Sequence, residues 1–254
     1  MDILLIAYIT NPVLIFLIAI GVGFFIVRKY KLGWRLYFIG GATYLAAQLI
    51  SIVFIGIIQD QLKNYNPIVP VQLLITLILL LLLMAIEEFF RYAMYRWWIR
   101  DLCTWAEGLL LGAGHGGVEV ILIGVTAAMA ISQLIPLRNA DLSTIVSPDR
   151  LQAATEYVTN FWSKPWYNTL SDAVRSGLTI PVQIACSLFV LQVFVRKQIG
   201  WLFVAIGFHF LANIPLYLIN LETYPYLPLV FLAVATAISV WMIFRLQPRQ
   251  ELSV

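Results

Sequence analysis

Three short segments carry ionisable or polar side chains inside otherwise apolar stretches: Glu87-Glu88-Phe89-Phe90-Arg91, Gly114-His115-Gly116-Gly117-Val118-Glu119 and His209-Phe210-Leu211-Ala212-Asn213. Both histidines of the chain fall in them. A carboxylate and an imidazole sharing one water form a general base, and a second imidazole with a carboxamide supplies donors for an oxyanion, so these residue types point to hydrolysis. No serine or cysteine is set beside a histidine here, which argues against a covalent nucleophile. No cofactor is favoured. The rival is zinc, for which His115, Glu119 and His209, with Glu87 or Glu88, are acceptable ligands that leave a position open for water.

Helical spacing sharpens the pattern. Residues four apart share a helix face, so Glu87 with Arg91, His115 with Glu119, and His209 with Asn213 each set two polar groups one turn apart. Arg91 is also placed to pair with Glu88, which leaves Glu87 free, and spacing does not fix which glutamate does which task. Counted from the basic residues that end each segment, the three pairs lie on the order of 13 to 23 Å from one membrane edge at about 1.5 Å per residue. One buried layer holds them all, since lipid cannot solvate them. Gly112, Gly114, Gly116 and Gly117 around His115 predict either close helix packing or a local break lining a cavity.

The elements that position these groups are membrane spans. Of 254 residues, 61% are hydrophobic and 11% charged, and mean hydropathy is +0.89. That composition excludes a nucleic-acid-binding face or a large solvated domain, and unbroken apolar runs exclude a barrel. The chain is predicted to be all-α, one integral membrane domain over 1–254 with about seven spans. They run from Leu4 to Val27, Trp34 to Ile58, Ile68 to Tyr95, Leu102 to Ile135, Ala173 to Val195, Gly200 to Asn220 and Tyr224 to Phe244. The first carries Asn11-Pro12, where a kink is expected. The fourth is long enough to be tilted or broken at its glycines. Basic clusters follow the odd-numbered spans (Arg28, Lys29, Lys31 and Arg35; Arg96 and Arg100; Arg196 and Lys197; Arg245 and Arg249), which predicts the N-terminus outside and the C-terminus in the cytoplasm. Between spans four and five, Ser147-Pro148-Asp149 reads as a helix start. Leu151, Ala154, Val158, Phe161 and Trp162 then form the apolar face of an interfacial amphipathic helix. Cys103 and Cys186 lack metal or redox spacing and read as buried small hydrophobes.

The order Glu-Glu with a following arginine, a lone histidine in the next span, and His-x-x-x-Asn in a late span resembles the CAAX-processing type of intramembrane glutamate proteases, the Rce-type and bacterial Abi-like group. Gly114 to Glu119 looks like the signature of its bacterial YhfC branch. The resemblance spans about Met84 to Asn213 and departs from the usual pattern in having only Phe89 and Phe90 before Arg91, and Leu111 four residues before His115. It implies a helical endopeptidase of the bacterial cytoplasmic membrane acting on a peptide or membrane protein. Glu87 would be the base, His115 its partner, and His209 and Asn213 the oxyanion donors, with Glu88 a further catalytic residue and Arg91 and Glu119 supporting them. Two other classes are compatible with a buried polar layer: a noncatalytic membrane scaffold or chaperone, and a transporter with a midplane site.

Overall fold

A computed structural model describes residues 2–63, 65, 68–100, 104–219, 223–224 and 226–248. The described chain is helical throughout and has no strand. Its helices are α1 (Ile3–Tyr30), α2 (Arg35–Leu62), α3 (Val69–Ala93, continued by a π-helical turn Met94–Trp98), α4 (Trp105–Leu137), α5 (Pro148–Trp162), α6 (Ser171–Val195), α7 (Gly200–Leu218) and α8 (Leu227–Arg245). All but α5 are long and apolar enough to cross a membrane, making seven spans. Leu102, Cys103, Asn220 and Arg249, used above to set boundaries, orientation or cysteine chemistry, lie outside the described residues.

Two features explain where α4 begins and what it packs against. Thr104 and Glu107 form a capping box, Thr104 N–H donating to Glu107 Oε2 at 2.9 Å and Glu107 N–H to Thr104 Oγ1 at 3.3 Å. The helix then runs unbroken through its glycines, so of the two expectations close packing is realised and the break is not. A Cβ on Gly114 would lie 1.9 Å from the Tyr37 carbonyl oxygen, and one on Gly40 would lie 2.0 Å from that of Leu111. The backbones of α2 and α4 therefore meet where only hydrogen fits. Gly114→Ala is expected to destabilise the protein by about 1–3 kcal/mol. Gly21→Ala, with nothing within 4 Å of its Cβ, should leave the unfolding midpoint in detergent near wild type. Equal midpoints for the two variants would contradict this packing.

Helix α4 is central, packed by α1, α2 and α6, while α3 and α7 close the bundle on the other side of α2 and α6. Pro12 lies inside α1 without ending it, and the Asn11 Oδ1 beside it accepts from Ala173 N–H at 3.0 Å, tying α1 to the start of α6. The amphipathic helix forms as the sequence predicts. Ser147 occupies the N-cap position without a side-chain bond, Val158 is buried, and Gln152, Glu156 and Asn160 are exposed. Its end docks on α1 through Tyr8, which stacks on Phe161 at 4.2 Å and donates its hydroxyl to the Phe161 carbonyl. Arg138 covers the Trp162 ring at 4.4 Å and binds Asp2, whose carboxyl it holds below the usual range.

Candidate functional site

The three predicted polar segments converge. Glu87, Glu88 and Arg91 come from the last turns of α3, His115 and Glu119 from the middle of α4, and His209 and Asn213 from the middle of α7. Glu87, Glu88, Arg91, His115 and His209 are each no more than 6% exposed. Glu87 Oε2 lies 3.4 Å from His115 Nε2 and 3.9 Å from His209 Nε2, while its Oε1 accepts from Gln48 Nε2 at 2.9 Å. Among the described residues no other carboxylate is within ion-pair distance of both imidazoles.

Glu88 has a different task. Its Oε1 binds His209 Nδ1 at 2.7 Å and accepts from Arg91 Nη1. The helical pair Glu87–Arg91 suggested by four-residue spacing is replaced by Glu88–Arg91, three apart, and this frees Glu87 as the alternative reading anticipated. Arg91 Nη2 also donates to Gln183 Oε1, and Gln183 Nε2 donates to Glu119 Oε2 and lies 3.4 Å from His209 Nε2. With Nδ1–H given to Glu88, the His209 ring turns its Nε2 lone pair toward Glu87 and the Gln183 amide. Asn213 Nδ2 donates to the His209 carbonyl at 3.0 Å and approaches Met84 Sδ at 3.6 Å.

A cavity of about 520 Å³ is bounded by Tyr44, Gln48, Glu87, Glu119, His209 and Asn213. It extends along the second half of α2 to Gln59, along α7 to Tyr217 and past Arg175 at the start of α6. These are the helix ends opposite the basic clusters at Arg35, Arg96 and Arg196. Sequence reasoning missed Tyr44, Gln48, Arg175 and Gln183. The two glutamines carried a usable signal, since an uncharged amide in mid-span also needs a buried partner. Tyr44, edge-on to His115 at 5.1 Å, carried none, because tyrosines are common in these spans.

Residues 14–235 match the family described as YhfC intramembrane metalloprotease. The chain belongs to the YhfC family. It is 30% identical over 208 residues to an uncharacterised membrane protein, YhfC, of Bacillus subtilis strain 168, covering 79% of each chain. No solved structure matches it. The YhfC match takes in α2, beyond the Met84–Asn213 stretch on which the sequence resemblance rests, and α2 supplies Tyr44 and Gln48 to the site.

The YhfC family's description implies a metal, and Glu87, His115 and His209 offer donor types that suit one. Ligand atoms about 2.0–2.1 Å from a tetrahedral zinc lie roughly 3.4 Å from one another. Glu87 Oε2 is 3.4 Å and 3.9 Å from the two Nε2 atoms, but the three ligand atoms do not all lie within 4.8 Å of one another, so the imidazoles stand wider apart than a shared ion needs and would have to turn inward to hold one. Glu88 on His209 Nδ1 is the outer-shell carboxylate that such a histidine ligand takes. Among the described residues the set whose ligand atoms do lie within 4.8 Å of one another is Glu88, Cys186 and His209, but the Arg91 guanidinium already binds Glu88 there and opposes a cation. In the alternative set proposed from sequence, Glu119 is instead held by Gln183 and is beyond ion-pair distance of both imidazoles.

Proposed function

We propose that this YhfC-family chain is an intramembrane endopeptidase that hydrolyses a peptide bond in the cavity beside Glu87. The observation that carries this reading is one carboxylate oxygen set against two imidazole nitrogens from different helices, at the wall of a cavity large enough for a stretch of peptide. The likeness of its three motifs to those of CAAX-processing glutamate proteases supports the same reading.

In this mechanism Gln48 holds Glu87 Oε1, so that Oε2 faces the imidazoles and takes the proton of a water in the cavity. Glu88 fixes the tautomer and rotation of His209, and Arg91 fixes Glu88. Tyr44, whose hydroxyl has no partner among the described residues, and Asn213 are the donors available to the carbonyl oxygen. Glu87, His115 and His209, drawn together, would be the residues to hold a zinc ion, which would supply Lewis acidity. In that case Glu119, in the same wall, would be the carboxylate free to accept a proton. The positive-inside pattern assigns the basic ends of the helices to the cytoplasm of a bacterial cell, so the substrate reaches the cavity from the outer side.

The test is direct. Purified protein in proteoliposomes is mixed with bacterial membrane proteins, and new peptide termini are read by mass spectrometry. Wild type is expected to generate termini absent from a Glu87→Gln control. Treatment with 1,10-phenanthroline is expected to stop their formation and added zinc to restore it, with about one zinc per chain lost in His209→Ala by elemental analysis. Cleavage and zinc content both indifferent to the chelator would return the site to metal-free catalysis. No new termini under any loading would remove the peptidase reading.

A further inference from the structure

We infer that Arg175 is a substrate-binding residue that receives a carboxylate carried by the peptide; this rests on the peptidase reading above. Arg175 lines the cavity and is, among the described residues, the only arginine or lysine that does so. Its Nε is fully buried and without a hydrogen-bond partner, and no carboxylate among the described residues lies within ion-pair distance of it. Glu119 is close enough for a coulombic attraction to Arg175, but it makes no ion pair with it and its Oε2 is taken by Gln183. The neighbouring Arg91 shows the contrast, since its guanidinium binds both Glu88 and Gln183.

A half-buried guanidinium inside a membrane span, with its Nε buried and unbonded, suits a place where an anion arrives from outside the fold. The planar fork of arginine suits a carboxylate, which it binds through two parallel N–H donors. A phosphate dianion is the poorer fit, because Glu87 and Glu119 in the same wall repel two charges more than one. Position supports a role in placing the peptide. Arg175 precedes Gln183 by two turns of α6, about 12 Å along the axis, which an extended peptide covers in roughly four residues. A carboxylate held there sets the scissile bond beside Glu87. Its route runs between the exposed rim residues Gln59 and Tyr217.

Binding is measured by calorimetry on full-length Glu87→Gln protein in nanodiscs, so that no turnover interferes. The probes are N-dodecanoyl-tetraalanine as free acid and as amide, N-dodecanoyl-trialanyl-glutamate amide, and dodecyl phosphate. The free acid is expected to bind about tenfold or more tightly than its amide, as a charge-assisted pair requires. Arg175→Gln should erase that difference and Arg175→Lys should keep part of it. Tight binding of the glutamate amide as well would widen the carboxylate to acidic side chains; its absence would restrict it to a chain terminus. Equal binding of acid and amide in protein retaining Arg175 would overturn the inference without any substitution there. Arg175-dependent binding of dodecyl phosphate above that of the acid would overturn it too, in favour of a lipid headgroup. Failure of the peptidase reading shows separately, as absence of new termini from wild type.

Discussion

Glu87→Gln is expected to lower the rate of peptide cleavage by about a thousandfold or more while leaving the protein folded, within the range that loss of a general base or of a ligand to its activating group produces. The expectation is specific because the change is nearly isosteric. A glutamine at position 87 still accepts from Gln48 and still fills the space against His115, so the packing of α2, α3 and α4 is kept. What disappears is the negative charge between two imidazoles, and with it either the proton acceptor or one ligand of a metal. Glu119→Gln separates these two roles. It should cost little if Glu87 takes the proton itself, and about as much as Glu87→Gln if Glu87 is a ligand and Glu119 the base. Rates from synthetic peptides matching the cleavage sites, with unfolding midpoints of each variant, provide the measurement. A Glu87→Gln protein with wild-type rate would end the catalytic assignment.

Arg91→Met is expected to produce the largest loss of stability, about 3–5 kcal/mol, because it leaves a fully buried Glu88 charge without its partner. The side chain is of similar length and apolar, so the loss reports charge and hydrogen bonds more than volume. Gln183 loses its donor in the same step, and Glu119 and His209, both of which touch Gln183, lose a fixed neighbour. The double variant Glu88→Gln with Arg91→Met should recover part of the loss, since the uncompensated charge is gone. Denaturant unfolding in detergent micelles followed by tryptophan fluorescence reads both. If the single and double variants are equally unstable, the ion pair is not what holds this end of α3.

The sequence by itself determined the membrane class, the seven spans, the interfacial helix and the presence of one polar layer. Each follows from local chemistry: about 20 apolar residues are needed to cross the hydrocarbon, and an ionisable group there must find company. The residues that mattered most, Glu87, His115 and His209, stood out for that reason alone. Their depth could be counted because helical rise is constant.

What the tertiary structure decided is the pairing. Four-residue spacing put Arg91 under Glu87, yet rotation of α3 against α6 and α7 gives Arg91 to Glu88 and Gln183, and sets Glu87 against His115. Nothing in one helix encodes which neighbour it turns toward. That choice depends on where α4 is allowed to approach, and the glycines that allow it work through contacts with Tyr37 and Leu111, far from them in sequence. The partners of Gln48 and Gln183 were fixed only once α2 and α6 were in place, and Arg175 became visible only with the cavity it lines. The walls of that cavity are also built of the leucines and isoleucines that face lipid elsewhere, so hydropathy along the chain marks both alike and only the packed bundle separates them.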